Sequence, residues 1–216
     1  MIVTFKKPIE GIRGKIRLED GFYIRKLYGK YVVQRCPNRK GHVATPKEKE
    51  NRENLFQYLL ENFPQIKTLV YCINSKQNDS IYDQNVQIYF GEGFLMEEMD
   101  GLKFKIGPKS FFQTNYKQAL ELYRKTLEFA DLKGDEVVYD LYTGTGTIAQ
   151  YVARNAKQVI GIESVQEAID AAIEHAELNG LTNTQFYCGD MKDIFNDEFL
   201  ANHPKADVLI TAPPRD

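Results

Sequence analysis

The residues of this chain best placed to do chemistry lie together in Val137-Val138-Tyr139-Asp140-Leu141-Tyr142-Thr143-Gly144-Thr145-Gly146-Thr147-Ile148-Ala149. An apolar run closing on an acid, two glycines one residue apart and a helical pattern read as a buried strand, a tight turn and a helix. Glycine at 144 and at 146 lets the backbone take positive φ and approach a ligand closely, which other residues do only under strain. The helix beginning at Thr147 turns its first unpaired N–H groups toward the same place. These parts make a nucleotide-cofactor turn. Gly144-Thr145-Gly146-Thr147-Ile148-Ala149 fits the dinucleotide pattern G-x-G-x-x-A, and Glu163 stands about 20 residues on, where a ribose-binding acid is expected. The dinucleotide pattern usually runs apolar straight into its first glycine, whereas here Asp140-Leu141-Tyr142-Thr143 intervenes.

The elements around that turn alternate. Strand 136–140 leads to helix 147–154, and strand 158–162 leads to a helix opened by Ser164-Val165-Gln166-Glu167, which has the form of a capping box. Ala168, Ala172 and Ala176 give that helix a small-residue face for close packing on a sheet, and Asn179-Gly180 stops it. Strand 184–188, a short helix near 191–202 and strand 206–211 follow. Alternation at this spacing predicts an α/β fold with a parallel sheet of about four strands and crossover helices. Upstream, Asn115 with Gln118 starts a helix whose inner face is Leu120, Tyr123, Leu127 and Ala130. Before it, strands over 68–74, 86–90 and 102–106 form a small antiparallel region. Thr45-Pro46-Lys47-Glu48 starts another helix, with Phe56, Leu59, Leu60 and Phe63 as its apolar stripe and Pro64 at its end. Phe22 to Tyr28 and Lys30 to Arg35 flank Gly29 as a hairpin. The expected parts are therefore a basic segment 1–53, a β-rich region 54–112 and a cofactor-binding region 113–216.

Charge supports the first boundary. Residues 1–53 hold 14 Lys/Arg against 6 Asp/Glu, while the remainder holds 14 against 24. In the basic part Arg25, Lys26, Lys30, Arg35, Arg39 and Lys40 interleave with Tyr23, Tyr28 and Tyr31, a composition that suits either a nucleic-acid surface or a solvated edge hairpin. Cys36 and His42 are too few ligands for zinc, and no metal is expected. Cys36, Cys72 and Cys188 are widely spaced and odd in number, which suits a reducing cytoplasm. No apolar run reaches the roughly 18 residues of a membrane span, and no membrane partner is expected.

The arrangement D-x-x-x-G-x-G at Asp140 to Gly146 resembles motif I of the S-adenosylmethionine (SAM) methyltransferases. From about residue 64 onward the chain resembles the RNA (uracil-5-)-methyltransferases. The carriers are Gly107-Pro108-Lys109-Ser110-Phe111-Phe112-Gln113-Thr114-Asn115, the turn itself, Gly161-Ile162-Glu163-Ser164, Gly189-Asp190-Met191 and Ala212-Pro213-Pro214-Arg215-Asp216. The resemblance implies a Rossmann-like class I SAM methyltransferase domain, incomplete with its four strands, preceded by a small mixed, mainly antiparallel region. It implies SAM as cofactor, held by Gln113, Asp140, Tyr142, Gly144, Gly146, Thr147, Glu163 and Asp190. Ala212, Pro213, Pro214 and Arg215 would stand at the target base. The implied reaction is methylation of uridine C5 in ribosomal or transfer RNA, by a protein that is a monomer when complete. A cysteine thiolate adds at C6 to activate C5, and a base then removes the C5 proton. The family's nucleophilic Cys and base Glu would fall beyond Asp216, so this chain is expected to bind SAM without completing transfer. Ala212 also stands where the family has Asp. Residues 1–55 lie outside the resemblance, which leaves a non-catalytic RNA-binding module led by the basic segment as the competing reading.

Overall fold

The computed structural model describes residues 2–5, 16–17, 22–27, 30–35, 45–74, 81, 83–113 and 115–213. They divide into two units, Met1–Leu95 with Gly107–Lys109, and Met96–Ile106 with Ser110–Asp216. In the first unit, β1 (Ile2–Phe5), β2 (Ile16–Arg17), β3 (Phe22–Leu27) and β4 (Lys30–Arg35) precede helix α1 (Pro46–Asn62), and β5 (Ile66–Cys72) and β6 (Val86–Phe90) come after it. The strands form one antiparallel sheet in the order β2-β3-β4-β1-β5-β6. β3 and β4 pair as the expected hairpin, with Phe22 opposite Arg35. β1 lies between β4 and β5, so the sheet draws on chain from both sides of residue 53. The step in charge therefore falls inside α1 and inside one unit. The basic and aromatic side chains between Tyr23 and Lys40, and Cys36 and His42, lie outside the described residues.

α1 starts as its sequence dictates. Thr45 Oγ1 accepts from the Glu48 N–H at 3.2 Å, and Glu48 Oε2 accepts from the Thr45 N–H at 2.8 Å, which closes the capping box. Phe56 and Leu59 are its buried residues, and the Phe56 ring meets Tyr71 of β5 and Tyr89 of β6.

The second unit begins with a hairpin, β7 (Leu95–Met99) and β8 (Leu102–Ile106). Asp100 and Gly101 between them both have positive φ, 51° and 81°, as a two-residue primed turn requires. β7 escapes the periodicity argument because Leu95-Met96-Glu97-Glu98-Met99 does not alternate; the Asp-Gly pair was its only local signal. Helix α2 (Tyr116–Ala130) is capped by Asn115, whose side chain accepts from the Gln118 N–H, and ends on a left-handed Asp131. Met99, Leu102 and Phe104 of the hairpin pack with Ala119, Leu120 and Tyr123 of α2.

The strand–helix alternation comes next: β9 (Val137–Leu141), α3 (Thr147–Ala153), β10 (Gln158–Glu163), α4 (Gln166–Leu178), β11 (Thr184–Cys188), α5 (Met191–Ile194), α6 (Asp197–Asn202) and β12 (Val208–Thr211). The four strands are parallel, in the order β11-β10-β9-β12. The chain steps outward from β9 through β10 to β11, then crosses back to place β12 on the far side of β9. Connections that leave β9 in opposite directions open a crevice at its carboxyl end, the place where sheets of this kind bind ligands. The glycine turn begins there.

Candidate cofactor site

The turn is held from beneath by Asp140. This carboxylate is 1% exposed and accepts a 2.6 Å hydrogen bond from Thr143 Oγ1 and another from the Ala149 N–H of α3. Burial pushes its pKa up to about 6, against the lowering effect of those two donors and with a further upward contribution from the charge of Glu163. Asp140 thus braces the turn from inside.

Beyond Asp140 the backbone makes three left-handed steps, at Tyr142 (φ 64°), Gly144 (φ 57°) and Gly146 (φ 73°). The two glycines were legible in sequence, but left-handed Tyr142 was not. A side chain there costs roughly 1–2 kcal/mol, and the ring is left 40% exposed at the mouth of the crevice. Thr143 N–H donates to Ile162 O and Gly146 N–H donates to Thr143 O, each at 3.0 Å, which ties the turn to β10 and to itself. The two glycines serve different ends. A Cβ on Gly146 would stand 2.9 Å from Ala172 Cβ and 3.1 Å from the Phe186 ring, whereas a Cβ on Gly144 would meet nothing within 4 Å. Gly146 lets α4 and β11 pack close, and Gly144 borders open space.

Glu163, the last residue of β10, faces that space. Its Oε2 accepts from the Gly144 N–H at 3.1 Å, and its Oε1 accepts from Ser164 N–H (2.8 Å), Ser164 Oγ (3.1 Å) and Val165 N–H (3.1 Å). The capping box expected at Ser164 does not form. The N-cap is Val165, with no side-chain cap, because the stronger acceptor next door has taken the Ser164 hydroxyl and the local N–H groups.

The remaining residues surround this core less tightly. Thr147 Oγ1 accepts from Tyr123 OH of α2 at 3.1 Å, so its hydroxyl is positioned by a buried tyrosine that sequence assigned only to packing. Asp190 comes after β11, and the backbone there joins the site where the Gly189 N–H donates to Glu163 O at 2.9 Å. Its carboxylate accepts from Lys192 N–H and pairs with Lys192 Nζ at 3.2 Å; first that N–H and then the ammonium hold it below the usual carboxylate range. Gln113 is exposed just before α2, and Ala212 and Pro213 are exposed after β12, where Ala212 N–H donates to Leu141 O at 3.4 Å. Pro214 and Arg215 lie outside the described residues. Among the described residues, no group of three His, Cys, Asp or Glu could hold a metal ion, and no helix is long and apolar enough to cross a membrane.

Comparison with known proteins agrees with this geometry. Residues 132–212 match a family described as a methyltransferase domain. A Porphyromonas gingivalis protein named an uncharacterized RNA methyltransferase is 58% identical over 164 residues, covering 76% of this chain and 35% of that protein. A Bacteroides thetaiotaomicron protein of the same name is 54% identical over 173 residues, covering 80% of this chain and 38% of that protein. Residues 132–212 are thus similar to a methyltransferase domain, and the chain is homologous to proteins named as RNA methyltransferases. It spans little more than a third of the length of those relatives. The crystal structure of Pyrococcus abyssi tRNA (uracil-54, C5)-methyltransferase in complex with S-adenosyl-L-homocysteine aligns with a TM-score of 0.59 and 24% identity, over 89% of this chain and 43% of that one. The fold is accordingly the Rossmann-like fold of SAM methyltransferases.

Proposed function

We propose that residues 113–216 bind SAM and that the complete protein, of which this chain would supply the cofactor-binding part, methylates C5 of a uridine in RNA. The observation that carries the cofactor reading is the carboxylate of Glu163 at the end of β10, beside the open space at Gly144 and at the crevice where the sheet reverses. The donor set fits the group. Glu163 Oε2 accepts only from the Gly144 N–H and keeps a lone pair for one ribose hydroxyl. Oε1 takes the second in exchange for one of its three present donors, the rotatable Ser164 hydroxyl. Gly144 leaves room for the methionine end, Tyr142 offers a ring face, and Asp190 can accept from the adenine amino group. Thr147 and Gln113 supply polar contacts at the rim. Bound SAM supplies an electrophilic methyl group, and these residues orient it and keep its ribose in register with the sheet.

Uridine in RNA as the acceptor is supported by the succession of the Gln113, Asp140–Gly146 and Pro213-Pro214-Arg215 motifs, and by the likeness of fold to a tRNA uracil-C5 methyltransferase. The base must leave its stack to reach the crevice. Titration of the purified chain with S-adenosylhomocysteine and with NAD tests the cofactor. Saturable binding of the former alone is expected, and binding of NAD in preference would sink the reading. The target base is read on the P. gingivalis relative, incubated with SAM and RNA and digested to nucleosides. 5-Methyluridine is the expected product, and any other methylated nucleoside in its place would overturn the uridine assignment.

A further inference from the structure

Helix α4 makes polar contacts along the open edge of β8. The buried face of α4 carries Ile169, Ala172, His175 and Ala176, Asn179 caps its carboxyl end, and β8 has β7 on its other edge. Asn179 Oδ1 accepts from the Lys103 N–H at 2.7 Å while its Nδ2 donates to Lys103 O at 2.9 Å, the two-bond ring a neighbouring strand would make. Two residues along, the Lys105 N–H donates to His175 Nε2 at 3.0 Å. The match is geometric. Four residues of helix rise about 6 Å, close to the rise of about 6.6 Å over two residues of strand.

The same two side chains also reach the glycine turn and the helix that follows it. His175 Nδ1 lies 3.1 Å from Thr145 O, and Asn179 Nδ2 also reaches Gln150 Oε1 of α3 at 3.0 Å. Thr145 is the residue between the two glycines. Nε2 lies 3.0 Å from both the Lys105 nitrogen and the Lys105 oxygen, and a carbonyl oxygen only accepts. A proton on Nδ1 makes two hydrogen bonds, to Thr145 O and from the Lys105 N–H. A proton on Nε2 makes one, to Lys105 O, and leaves Nδ1 facing the Thr145 oxygen. His175 is 2% exposed, and the Phe104 ring stands edge-on to it at 5.4 Å, so the imidazole has no freedom to turn away.

We propose that His175 is a positioning residue for the SAM site. Its Nδ1–H pins the Thr145 carbonyl, and Asn179 holds the end of the helix in register behind it. The proposal rests on the reading of this turn as a SAM site. A turn flanked by two glycines has many conformations to lose on binding, and a fixed Thr145 peptide removes part of that loss beforehand. The hydrogen bond to Thr145 thereby contributes to affinity without touching the ligand.

Two substitutions separate this role from simple packing. His175→Asn places an amide nitrogen where Nδ1 stands and keeps the donor to Thr145. His175→Gln reaches the place of Nε2, keeps an acceptor for Lys105 and loses Thr145. Both should unfold at lower denaturant than the wild type. By titration with S-adenosylhomocysteine, the Gln variant should bind roughly tenfold more weakly and the Asn variant within about twofold of wild type. Equal losses in both, or none in the Gln variant, would overturn the proposal while leaving the cofactor reading intact. Failure of the wild-type chain itself to bind would remove the cofactor reading, and this proposal with it. If neither variant folds, nitrogen-15 spectra of the wild-type imidazole decide: the Nδ1–H tautomer supports the assignment, and the Nε2–H tautomer refutes it.

Discussion

The inner and outer strands of the parallel sheet treat their ends differently. β9 and β10 are almost wholly buried, and the turn and acid at their carboxyl ends are tied to each other by hydrogen bonds at Thr143, Gly144 and Asp140. β11 and β12 are half-exposed, and the residues after them, Asp190 and Ala212, are held mainly by local contacts or a single long bond. A strand covered on both faces has its register set by packing, so the residues just past its end are delivered to a defined place. The inner pair forms the more buried half of the proposed site, and the outer pair supplies groups whose position depends on their own short loops.

The sharpest way to break that contrast is Gly146→Ala. It combines a left-handed backbone with contacts of 2.9 Å to Ala172 and 3.1 Å to Phe186, and we expect a loss of about 4 kcal/mol in denaturant unfolding. A loss below about 1 kcal/mol would mean that the inner pair is not close-packed. Asp140 comes next. Its folded pKa is raised from 3.8 to about 6, so its contribution to stability is full below pH 3.8 and is lost as the pH rises through about 6. The span amounts to about 3 kcal/mol. Unfolding curves from pH 4 to 8 should fall for wild type relative to Asp140→Asn, and parallel curves would show that the carboxylate is not buried.

Glu163→Gln should fold but bind S-adenosylhomocysteine about thirtyfold more weakly, since it exchanges one acceptor oxygen for a donor facing N–H groups. Unchanged affinity would remove Glu163 from the site. Gly144→Ala shares the backbone strain of its neighbour without the crowding, so unfolding should register only about 1 kcal/mol, while binding suffers from the methyl in open space. If it proves as unstable as Gly146→Ala, the division of labour between the two glycines is wrong. Asp190→Asn, on the outer pair, should weaken binding only about threefold, as expected of one exposed contact. An effect matching that of Glu163→Gln would erase the distinction between inner and outer strands.

Much of this was legible locally. The capping box at Thr45, the Asn115 cap, the strand–helix alternation and the paired glycines are short-range features, governed by propensity and by hydrogen bonds within a turn or two. The place of Glu163 at the carboxyl end of the second parallel strand was legible too. The cap at Ser164 was misread because a two-residue pattern cannot reveal that Glu163 competes for the same donors. β7 was missed because its burial does not alternate along the sequence. The inward turn of Asp140 depends on α3 folding back over it, and the left-handed Tyr142 on the turn being tied to β10.

Contiguous residues were thus enough to predict the glycine turn, the elements that flank it and the acid at the end of the next strand. Other features came only with the folded chain: that the Asp140 carboxylate is buried beneath the turn while Glu163 bonds to it at Gly144, and which glycine packs and which leaves space. The same holds for His175, which reaches across 70 residues to Lys105 and 30 to Thr145. Burial and donor competition arise only when distant segments meet, and no local pattern encodes them.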